Sequence, residues 1–274
     1  MKKLLGAIAA LAMTVGLTAC GTPANQGTTN PNQLVVGMEA GYPPFNWTQK
    51  DDSNGAVKIQ GTDQYAGGYD VEIAKRVAKQ LGKELVIVKT EWDGLTPALV
   101  SGKIDAIIAG MSPTEERKAT IDFTDSYYDS QLVLVVKKGS KYVNATSLAD
   151  FAGAKVTAQL NTFHYSVIDQ ITGVDKQAAM DNFPAMRVAL QAGTIDAYVS
   201  ELPEALSAQA ANSDFVMVKL TDGFKASPED TQTAVGVKKD SPLTKEINEA
   251  LKTISSEERQ QIMQEAIKNQ PAAE

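Results

Sequence analysis

The sequence has few of the side chains on which most catalytic and metal centres depend. Among its 274 residues there is a single histidine, His164, and a single cysteine, Cys20. A zinc site of the usual kind or a Cys-His pair needs more of these side chains, and no disulfide can form within the chain. A Gly-x-Ser-x-Gly motif and a phosphate-binding glycine loop are also lacking. We therefore expect no catalytic residues, no metal and no cofactor.

Basic residues are fewer than acidic residues in this chain. The chain has 26 Lys and Arg residues against 33 Asp and Glu residues, which gives a formal net charge of −7 at pH 7. An acidic protein is repelled by phosphate backbones and by anionic lipids. The composition therefore disfavours nucleic acid and anionic membrane surfaces as partners.

The amino terminus has the layout of a secretory signal over residues 1–19. Two lysines precede an apolar run over residues 4–17, which small residues follow, and the run is too short for a stable membrane span. Residues 17–20 resemble the lipobox of bacterial lipoproteins, in which the cysteine, here Cys20, becomes the acylated first residue. The alternative is an ordinary cleavage site followed by a chance cysteine.

The segment after this signal is polar. Residues 21–32 carry no charge and include two glycines and two prolines, so they bury too little apolar surface to order themselves. With Cys20 they are expected to form a lipidated, flexible tether, residues 20–32, between the membrane and the folded part. Loss of the two signal lysines from the 26 basic residues leaves 24 against 33 acidic ones, a net charge of −9.

Two segments of the chain share one pattern. Residues 98–106 and 189–197 both read Ala-Leu-x-x-Gly-x-Ile-Asp-Ala, and a strand-like apolar run is part of each. A unit that occurs twice indicates two similar halves, and two halves leave a cleft between them.

The order of predicted elements is typical of an α/β protein. In the first half, strands at 34–38, 85–88 and 104–109 alternate with helices at 70–81 and 95–100, which implies a mostly parallel sheet. The second half repeats this scheme. Its predicted elements are a strand at 155–158, helices at 163–171 and 184–191, and a strand at 195–199.

Two crossings of the chain are expected to join the halves. If the chain crosses near Ser130 and returns near Thr231, the two lobes share two connecting segments and can open and close. The first lobe is then formed by residues 33–129 plus 231–274, and the second by residues 130–230. Ligands of parallel sheets bind outside the carboxyl ends of the strands. This rule selects the loops at residues 39–47, 110–117, 161–164 and 200–201.

Three helix starts follow from local patterns. Asp70 is expected to cap one helix, and Pro242 to begin the carboxyl-terminal one. Ser112 and Glu115 have the spacing of a capping box, with Arg117 in the following turn. Free amides and a guanidinium there attract a carboxylate. The alternative is that Ser112 only caps a helix and that Arg117 pairs with a surface acid.

Six motifs in order resemble one protein family over nearly all of the chain after the tether. They are similar to the polar amino-acid solute-binding proteins of bacterial ABC importers. The resemblance implies a two-lobed, type II periplasmic-binding-protein-like α/β fold, with a mostly parallel, helix-flanked sheet in each lobe and two crossover segments. The motifs are Glu39-x-Gly41-Tyr42-Pro43-Pro44-Phe45, Gly68-Tyr69-Asp70-Val71, Trp92-Asp93-Gly94-Leu95-x-Pro97-Ala98-Leu99, Gly102-x-Ile104-Asp105-Ala106-Ile107, Met111-Ser112-x-Thr114-x-x-Arg117 and Asp122-Phe123-x-Asp125-x-Tyr127-Tyr128.

The resemblance also implies how the ends of an amino acid would be held. The first lobe would bind the α-carboxylate and the loop of the second lobe would add donors, while an acid after the second lobe's last predicted strand, Glu201, would bind the α-ammonium. Family members commonly have aspartate at that position, glycine at Asn161 and a small hydroxyl residue at Phe163. The residues implied for these roles are Gly110, Met111, Ser112, Arg117, Asn161, Thr162, Phe163 and Glu201.

By the same resemblance, Tyr42, Trp47 and Trp92 would line the side-chain pocket, with Glu39 at its end. Aromatic faces and a carboxylate attract cations, so we expect arginine or lysine, although histidine and glutamine also suit these groups. The alternative is that the rings belong to the core and that Glu39 is solvated. His164 is expected at the surface or at a helix start.

The sequence as a whole predicts a binding protein. A lipid-anchored, extracytoplasmic monomer would capture a free L-amino acid, close by hinge motion and deliver it to the permease and ATPase subunits of an ABC importer. One alternative is an enzyme on the same scaffold, such as a cyclohexadienyl dehydratase, in which Glu201 or Glu39 would be a general acid. Another is a sensor domain.

Overall fold

The computed structural model describes residues 30–271. The predicted signal segment, Cys20 and residues 21–29 of the predicted tether lie outside the described residues, as do residues 272–274. Residues 30–32 are exposed and lead into the first strand. Within the described range, no helix combines the length and the apolar character that crossing a membrane requires.

Two five-stranded sheets and a smaller, four-stranded sheet form the framework. We call residues 30–129 and 232–271 the first half, and residues 130–231 the second half. In chain order the strands are β1 (Gln33–Met38), β2 (Gly41–Tyr42), β3 (Asn46–Gln49), β4 (Val57–Lys58), β5 (Tyr65–Gly67), β6 (Glu84–Lys89), β7 (Ala106–Ile107), β8 (Asp122–Asp129), β9 (Leu132–Lys137), β10 (Lys155–Thr157), β11 (Asp175–Lys176), β12 (Ala197–Glu201), β13 (Phe215–Val218) and β14 (Gln232–Val237).

Helices surround these sheets. In chain order they are α1 (Tyr69–Gln80), α2 (Leu95–Ser101), α3 (Glu115–Lys118), α4 (Phe163–Val167), α5 (Phe183–Ala192), α6 (Leu202–Ala211), α7 (Pro228–Thr231), α8 (Leu243–Lys252) and α9 (Ser256–Asn269).

The two large sheets are built alike. The first has the order β6-β1-β7-β14-β8 and the second the order β11-β10-β12-β9-β13. In the first, β1 runs parallel to β6 and β7, while β14 is antiparallel to β7 and β8. In the second, β10 runs parallel to β11 and β12, while β9 is antiparallel to β12 and β13. The predicted α/β fold of two similar halves is confirmed.

The repeated sequence pattern forms the same corner in both sheets. Helices α2 and α5 end before Gly102 and Gly193, whose φ angles of 79° and 74° lie in the left-handed region that glycine adopts readily. The carboxylate of Asp105 accepts a hydrogen bond from a backbone amide of β1 at 2.9 Å, and that of Asp196 accepts one from a backbone amide of β10 at 2.8 Å. Each aspartate thereby fixes the helix-to-strand turn to the neighbouring strand.

Helix α1 has the predicted apolar face but not the predicted cap. Its N-cap residue is Gly68, so the expected cap at Asp70 is wrong. Asp70 is buried, and its carboxylate accepts hydrogen bonds from Asn46 Nδ2 at 2.7 Å and from the Tyr127 hydroxyl at 2.8 Å. These partners come from β3 and β8, and a local capping pattern contains no information about them.

The predicted capping box at Ser112 is also wrong. Helix α3 begins at Glu115, and its N-cap is Thr114, whose Oγ1 accepts from the Arg117 amide at 3.4 Å. The Ser112 hydroxyl donates instead to the carbonyl of Asp230 in α7, at 3.0 Å. The loop before Arg117 is therefore attached to the end of the second half.

The carboxyl-terminal part has two helices where the sequence pattern predicts one. Helix α8 buries Ile247 and Leu251 as expected, but Pro242 is its N-cap rather than its first residue. Helix α9 is capped by Ser255 and buries Ile262 on its inner face. It packs against α1 of the first half and α6 of the second.

The halves are connected by adjacent chain segments. The chain passes from β8 to β9 through residues 130–131 and returns from α7 into β14. The Ser130 amide donates to the Thr231 carbonyl at 2.9 Å, which joins the two crossings. At the end of α9, Gln270 Nε2 donates to the Ser207 carbonyl of α6 at 3.0 Å, and the Ser207 hydroxyl bonds to the Gln270 side-chain oxygen.

Candidate functional site

An aromatic stack marks where the two halves meet. Tyr42, on β2, stacks with Phe183 at the start of α5, with ring centroids 4.4 Å apart. On its other side it stacks with Phe45 of the first half, at 4.9 Å. All three rings are buried, so the contact removes apolar surface of both halves from water.

Arg117 connects the halves beside Trp92. Its Nη1 donates to the Ser112 carbonyl at 2.9 Å, and its Nη2 donates to the carbonyl of Asn161, in the second half, at 3.2 Å. The guanidinium carbon lies 5.1 Å from the ring centroid of Trp92, which is a cation–π distance. Burial lowers the pKa of Arg117 to about 10, so the group remains charged at neutral pH.

Asn161 has a backbone conformation that favours glycine. Its φ angle is 55°, in the left-handed region, where asparagine is tolerated better than most other residues. This conformation directs the carbonyl toward Arg117, while the side-chain Nδ2 donates to Asp93 of the first half at 2.9 Å. At a position where the resembled family commonly has glycine, Asn161 therefore adds a side-chain contact between the halves.

The next two residues of this loop contact their own half. The Thr162 hydroxyl donates to the Gln159 carbonyl at 2.7 Å. Phe163 is half-buried against the core of the second half, with its ring 4.9 Å from that of His164.

The loop at 110–112 is held tightly by its neighbours. Gly110 has a φ angle of 62°, and a Cβ added there would lie 2.8 Å from Cε1 of Tyr42, so only glycine fits. Its amide donates to the Tyr127 hydroxyl at 3.1 Å. Met111 is buried, and its carbonyl accepts from the Ala234 amide at 3.0 Å. Both of these backbone groups thus have partners within the first half.

Glu39 and Gln159 form a second polar link between the halves. Glu39 follows β1, and its side chain is 5% exposed. Gln159 Nε2, beyond the end of β10, donates to its two oxygens at 3.3 and 3.1 Å. Burial raises the pKa of Glu39 to about 7, whereas the hydrogen bond from Gln159 acts in the opposite direction. A cation beside Glu39 would favour its charged form further.

Glu201, the last residue of β12, is fully buried. One of its oxygens, Oε1, lies 3.1 Å from His164 Nε2. The other oxygen, Oε2, makes no well-formed hydrogen bond among residues 30–271, and neither does the Tyr42 hydroxyl, although the Tyr42 side chain approaches the Glu201 carboxylate. Burial and then the charge of Glu201 raise the pKa of Tyr42, so its hydroxyl stays protonated near this carboxylate. Buried polar atoms without partners are uncommon and costly, so a polar ligand gains hydrogen bonds here.

Three buried acidic side chains lie near Tyr42. Glu201, Glu204 and Asp70 all raise the pKa of Tyr42. Glu204 is paired with Arg187, Nη2 to Oε1, at 2.7 Å. Burial raises the pKa of Asp70 to about 7, and its partners are uncharged. Of the three, Glu201 is therefore the one that stays available for a cationic group. In the part of the chain that the structure describes, no group of three or more His, Cys, Asp or Glu residues could hold a metal ion.

Trp47 lies apart from the Arg117 group. Its indole Nε1 donates to Gln49 Oε1 at 2.7 Å, and its ring lies beside Gly67. Trp47 and Glu39 both line a cavity of about 340 Å³, in which Arg117 has no part. The cavity also contacts Pro184 of the second half.

Sequence patterns do not assign two residues that form this interface. Gln159 comes two residues before the selected loop at 161–164, so the carboxyl-end rule would include it only if that loop were extended. Phe183 has no local signal, because its partner Tyr42 is far away in the chain. His164, within the selected loop, lies in the first turn of α4, which is one of its two expected positions, and it is buried rather than at the surface.

The sequence profile of the bacterial extracellular solute-binding proteins, family 3, matches residues 34–269. The chain belongs to this family. Among its relatives, the chain is similar to the arginine-binding extracellular protein ArtP of Bacillus subtilis, with 30% identity over 254 residues and 92% of both chains covered. It is also similar to a probable histidine-binding protein of Campylobacter jejuni, with 33% identity over 230 residues, 81% of this chain and 83% of that one.

A solved structure shows the same architecture. The fold of this family 3 protein resembles that of the amino acid ABC transporter substrate-binding protein AbpA of Streptococcus pneumoniae bound to L-arginine, with a TM-score of 0.74 and 27% identity. The similarity covers 86% of this chain and 95% of that chain. The protein is therefore an extracytoplasmic amino-acid binding protein of an ABC importer, with the two-lobed type II periplasmic-binding-protein fold, and it is not an enzyme.

Proposed function

We propose that this family 3 protein captures arginine, with lysine as the second choice, between its two halves. The observation that carries the proposal is the buried carboxylate of Glu201, whose Oε2 lacks a well-formed hydrogen bond among residues 30–271, beside the Tyr42 hydroxyl at the interface that Arg117 also bridges. An α-ammonium would satisfy the Glu201 oxygen. The α-carboxylate would bind Arg117 with Ser112 and the donors of the loop that begins at Asn161.

The ligand's side chain would extend past Trp92 toward Glu39, because Phe45 and Phe183 cover both faces of the Tyr42 ring. A guanidinium has five donors in a planar fork, so it would replace Gln159 Nε2 at both oxygens of Glu39 and stack on an aromatic face. Glu39 in its charged form favours a ligand whose side chain carries positive charge. Arginine fits these requirements better than an amino acid whose side chain is neutral.

Selectivity in this proposal comes from closure. The carboxylate-binding group, Arg117, and the ammonium-binding group, Glu201, belong to different halves, so only a molecule with both charges stabilises the closed form. The lobes that move are residues 33–129 with 231–274 and residues 130–230, which rotate about the paired crossings at Ser130 and Thr231.

A panel of the twenty common amino acids, added separately to the mature protein in thermal unfolding, tests the ligand. A tight ligand raises the melting temperature by mass action, so arginine or lysine should give the largest shift, and titration calorimetry then gives Kd. A largest response from an acidic amino acid, or none from any amino acid, would overturn the proposal.

Glutamine is a second candidate, because a carboxyl group whose pKa is about 7 is partly protonated at neutral pH and can then donate to a neutral amide. The two ligands differ in their pH dependence. Arginine affinity should rise from pH 6 to pH 8 as Glu39 becomes charged, whereas glutamine affinity should fall or stay constant.

The proposal also includes a lipid anchor on Cys20 and a monomeric protein that delivers its ligand to the permease and ATPase subunits. In a bacterial expression host, the wild-type precursor should fractionate with membranes and incorporate labelled palmitate, and Cys20→Ser should do neither. Light scattering of the mature protein should give the mass of one chain. Equal palmitate labelling of the two forms would remove the anchor from the proposal.

A further inference from the structure

We propose that His164 is a positioning residue for the ligand's α-ammonium, because it holds Glu201 by one carboxylate oxygen and leaves the other for the ligand. This inference rests on the proposed function, in which Glu201 binds the ammonium. The six motifs do not include His164, although it lies in one of the loops that the carboxyl-end rule selects.

The acidic side chain that would bind the ammonium is long. Several freely rotating bonds lie between the backbone of a glutamate and its carboxylate. A longer side chain places its charge less accurately unless another group holds it. His164 Nε2, at 3.1 Å from Glu201 Oε1, is such a group.

The contact with Glu201 fixes the position of the proton on the imidazole. An ionised carboxylate only accepts hydrogen bonds, so Nε2 of His164 must carry the proton in this contact. The other ring nitrogen, Nδ1, is buried and has no hydrogen-bond partner in residues 30–271. The neutral tautomer with hydrogen on Nε2 therefore suffices, and the histidine does not have to be charged to hold Glu201.

Packing holds the imidazole in place. His164 lies in the first turn of α4 and is 6% exposed, and its ring packs at 4.9 Å against that of Phe163. Both His164 and Glu201 belong to the second half, so their contact does not depend on the rotation of one half against the other.

The test compares two ligands by titration calorimetry on the mature chain. One is arginine, and the other is 5-guanidinopentanoate, which is arginine without its α-ammonium. His164→Ala should weaken arginine binding about tenfold or more and change the binding of 5-guanidinopentanoate by less than about twofold. An equal loss for both ligands, or no loss for arginine, would overturn the inference.

A pair of conservative variants keeps the test valid if the alanine variant does not fold. Glutamine and asparagine carry the same amide, but only the longer glutamine side chain extends as far as the Nε2 atom of histidine. His164→Gln should therefore retain most of the arginine affinity, and His164→Asn should lose it. Equal arginine affinity in the two variants would contradict a positioning role.

Glu201→Gln separates this inference from the proposed function. If another amino acid gives the largest response in the panel, that amino acid and its analogue without the ammonium replace arginine. If no amino acid binds, or if Glu201→Gln leaves the affinity unchanged, the proposed site fails and the role of His164 fails with it. If Glu201→Gln weakens binding and His164→Ala does not, only the role of His164 is refuted.

Discussion

The side-chain amide of Gln159, in the second half, donates to both carboxylate oxygens of Glu39, in the first half, at 3.3 and 3.1 Å. Burial at this contact raises the pKa of Glu39 to about 7. Glu39 therefore gains or loses its negative charge within the physiological pH range. Gln159 occupies the carboxylate to which we assign the cationic end of the ligand.

Replacing Gln159 by leucine leaves Glu39 buried without this donor. We expect Gln159→Leu to lower the free energy of unfolding by about 1 to 3 kcal/mol at pH 8, and by less at pH 5, where Glu39 is largely protonated. Urea unfolding at the two pH values measures both losses. Gln261→Leu, at an exposed position on α9, is the control and should change stability little at either pH. A loss that is the same at pH 5 and pH 8 would contradict the role of the Glu39 charge.

The pKa of Glu39 also predicts the direction in which stability changes with pH. Because folding raises this pKa above its ordinary value of 4.5, protonated Glu39 stabilises the fold below pH 4.5, and this contribution is lost as pH rises through about 7. The loss is about 3 kcal/mol at most. Glu39→Gln should remove it, so the variant should gain stability relative to the wild type between pH 5 and pH 8.

The matched control for this pH series is Glu265→Gln, because Glu265 is exposed on α9. Its stability should follow that of the wild type at every pH. Asp70, whose pKa burial also raises to about 7, gives a pH dependence of the same sign that all three proteins retain. If the free energies of unfolding of Glu39→Gln and the wild type differ by a constant amount at every pH, the raised pKa of Glu39 is refuted.

Arg117 should be required for binding. Arg117→Ala removes the proposed partner of a buried carboxylate, so we expect a loss of about 2 to 5 kcal/mol in affinity, or roughly thirty-fold to several thousand-fold in Kd. Arg117→Lys keeps the positive charge but not the two parallel hydrogen bonds of a guanidinium. Its Kd should therefore lie between those of the wild type and Arg117→Ala. Calorimetry measures both variants, and thermal unfolding checks that they fold. An unchanged Kd for Arg117→Ala would refute the assignment.

The buried ion pair of Arg187 with Glu204 should matter far more for stability than an exposed pair. Arg187→Ala leaves a fully buried carboxylate without its charged partner and should lower the free energy of unfolding by about 3 to 5 kcal/mol. Lys118 pairs with Glu115 at 3.0 Å, but Glu115 is 87% exposed. Lys118→Ala should cost less than about 1 kcal/mol. Similar losses in the two variants, measured by urea unfolding, would contradict this ranking.

Ala40 is a strained residue in the loop that carries Glu39. It has a φ angle of 51° and is buried, although the left-handed region costs a residue with a Cβ about 1 to 2 kcal/mol. After allowance for the greater freedom of glycine in the unfolded chain, Ala40→Gly should stabilise the protein by roughly 0.5 to 1 kcal/mol. Ala189→Gly, within α5, should instead destabilise it by about 1 kcal/mol. A loss of stability in Ala40→Gly would show that the strain is absent.

The sequence predicts the parts of this fold whose causes are local. The spacing of apolar residues predicts α1, and the repeated pattern around Asp105 and Asp196 predicts two equivalent corners. Asp70 and Ser112 have cap-like patterns, but each bonds to residues distant in the chain, and their real roles depend on those contacts. Local pattern therefore predicts elements better than it predicts the partners of buried polar side chains.

The candidate site is also predicted in part by the sequence: the loops that form it are predicted, but the contacts of their side chains are not. The rule of carboxyl ends selects loops that do meet, as the contacts between Arg117 and Asn161 and between Glu201 and His164 show. The rule does not predict which side chains bond across the interface. Trp47 comes from a selected loop and lines a cavity with Glu39 but not with Arg117, whereas Gln159 comes from outside the loops and bonds directly to Glu39.

The bond between Gln270 and Ser207 has a consequence for ligand affinity. Helix α9 packs against α1 of the first half and α6 of the second, and the residue that caps its end bonds to α6. In the hinge motion that we propose, a rotation that separates α6 from α9 would break this bond, and its free energy would then enter the dissociation constant of every ligand by the same amount. Substitutions at this remote end of the chain would raise or lower the affinity for every ligand without changing which molecule the protein prefers.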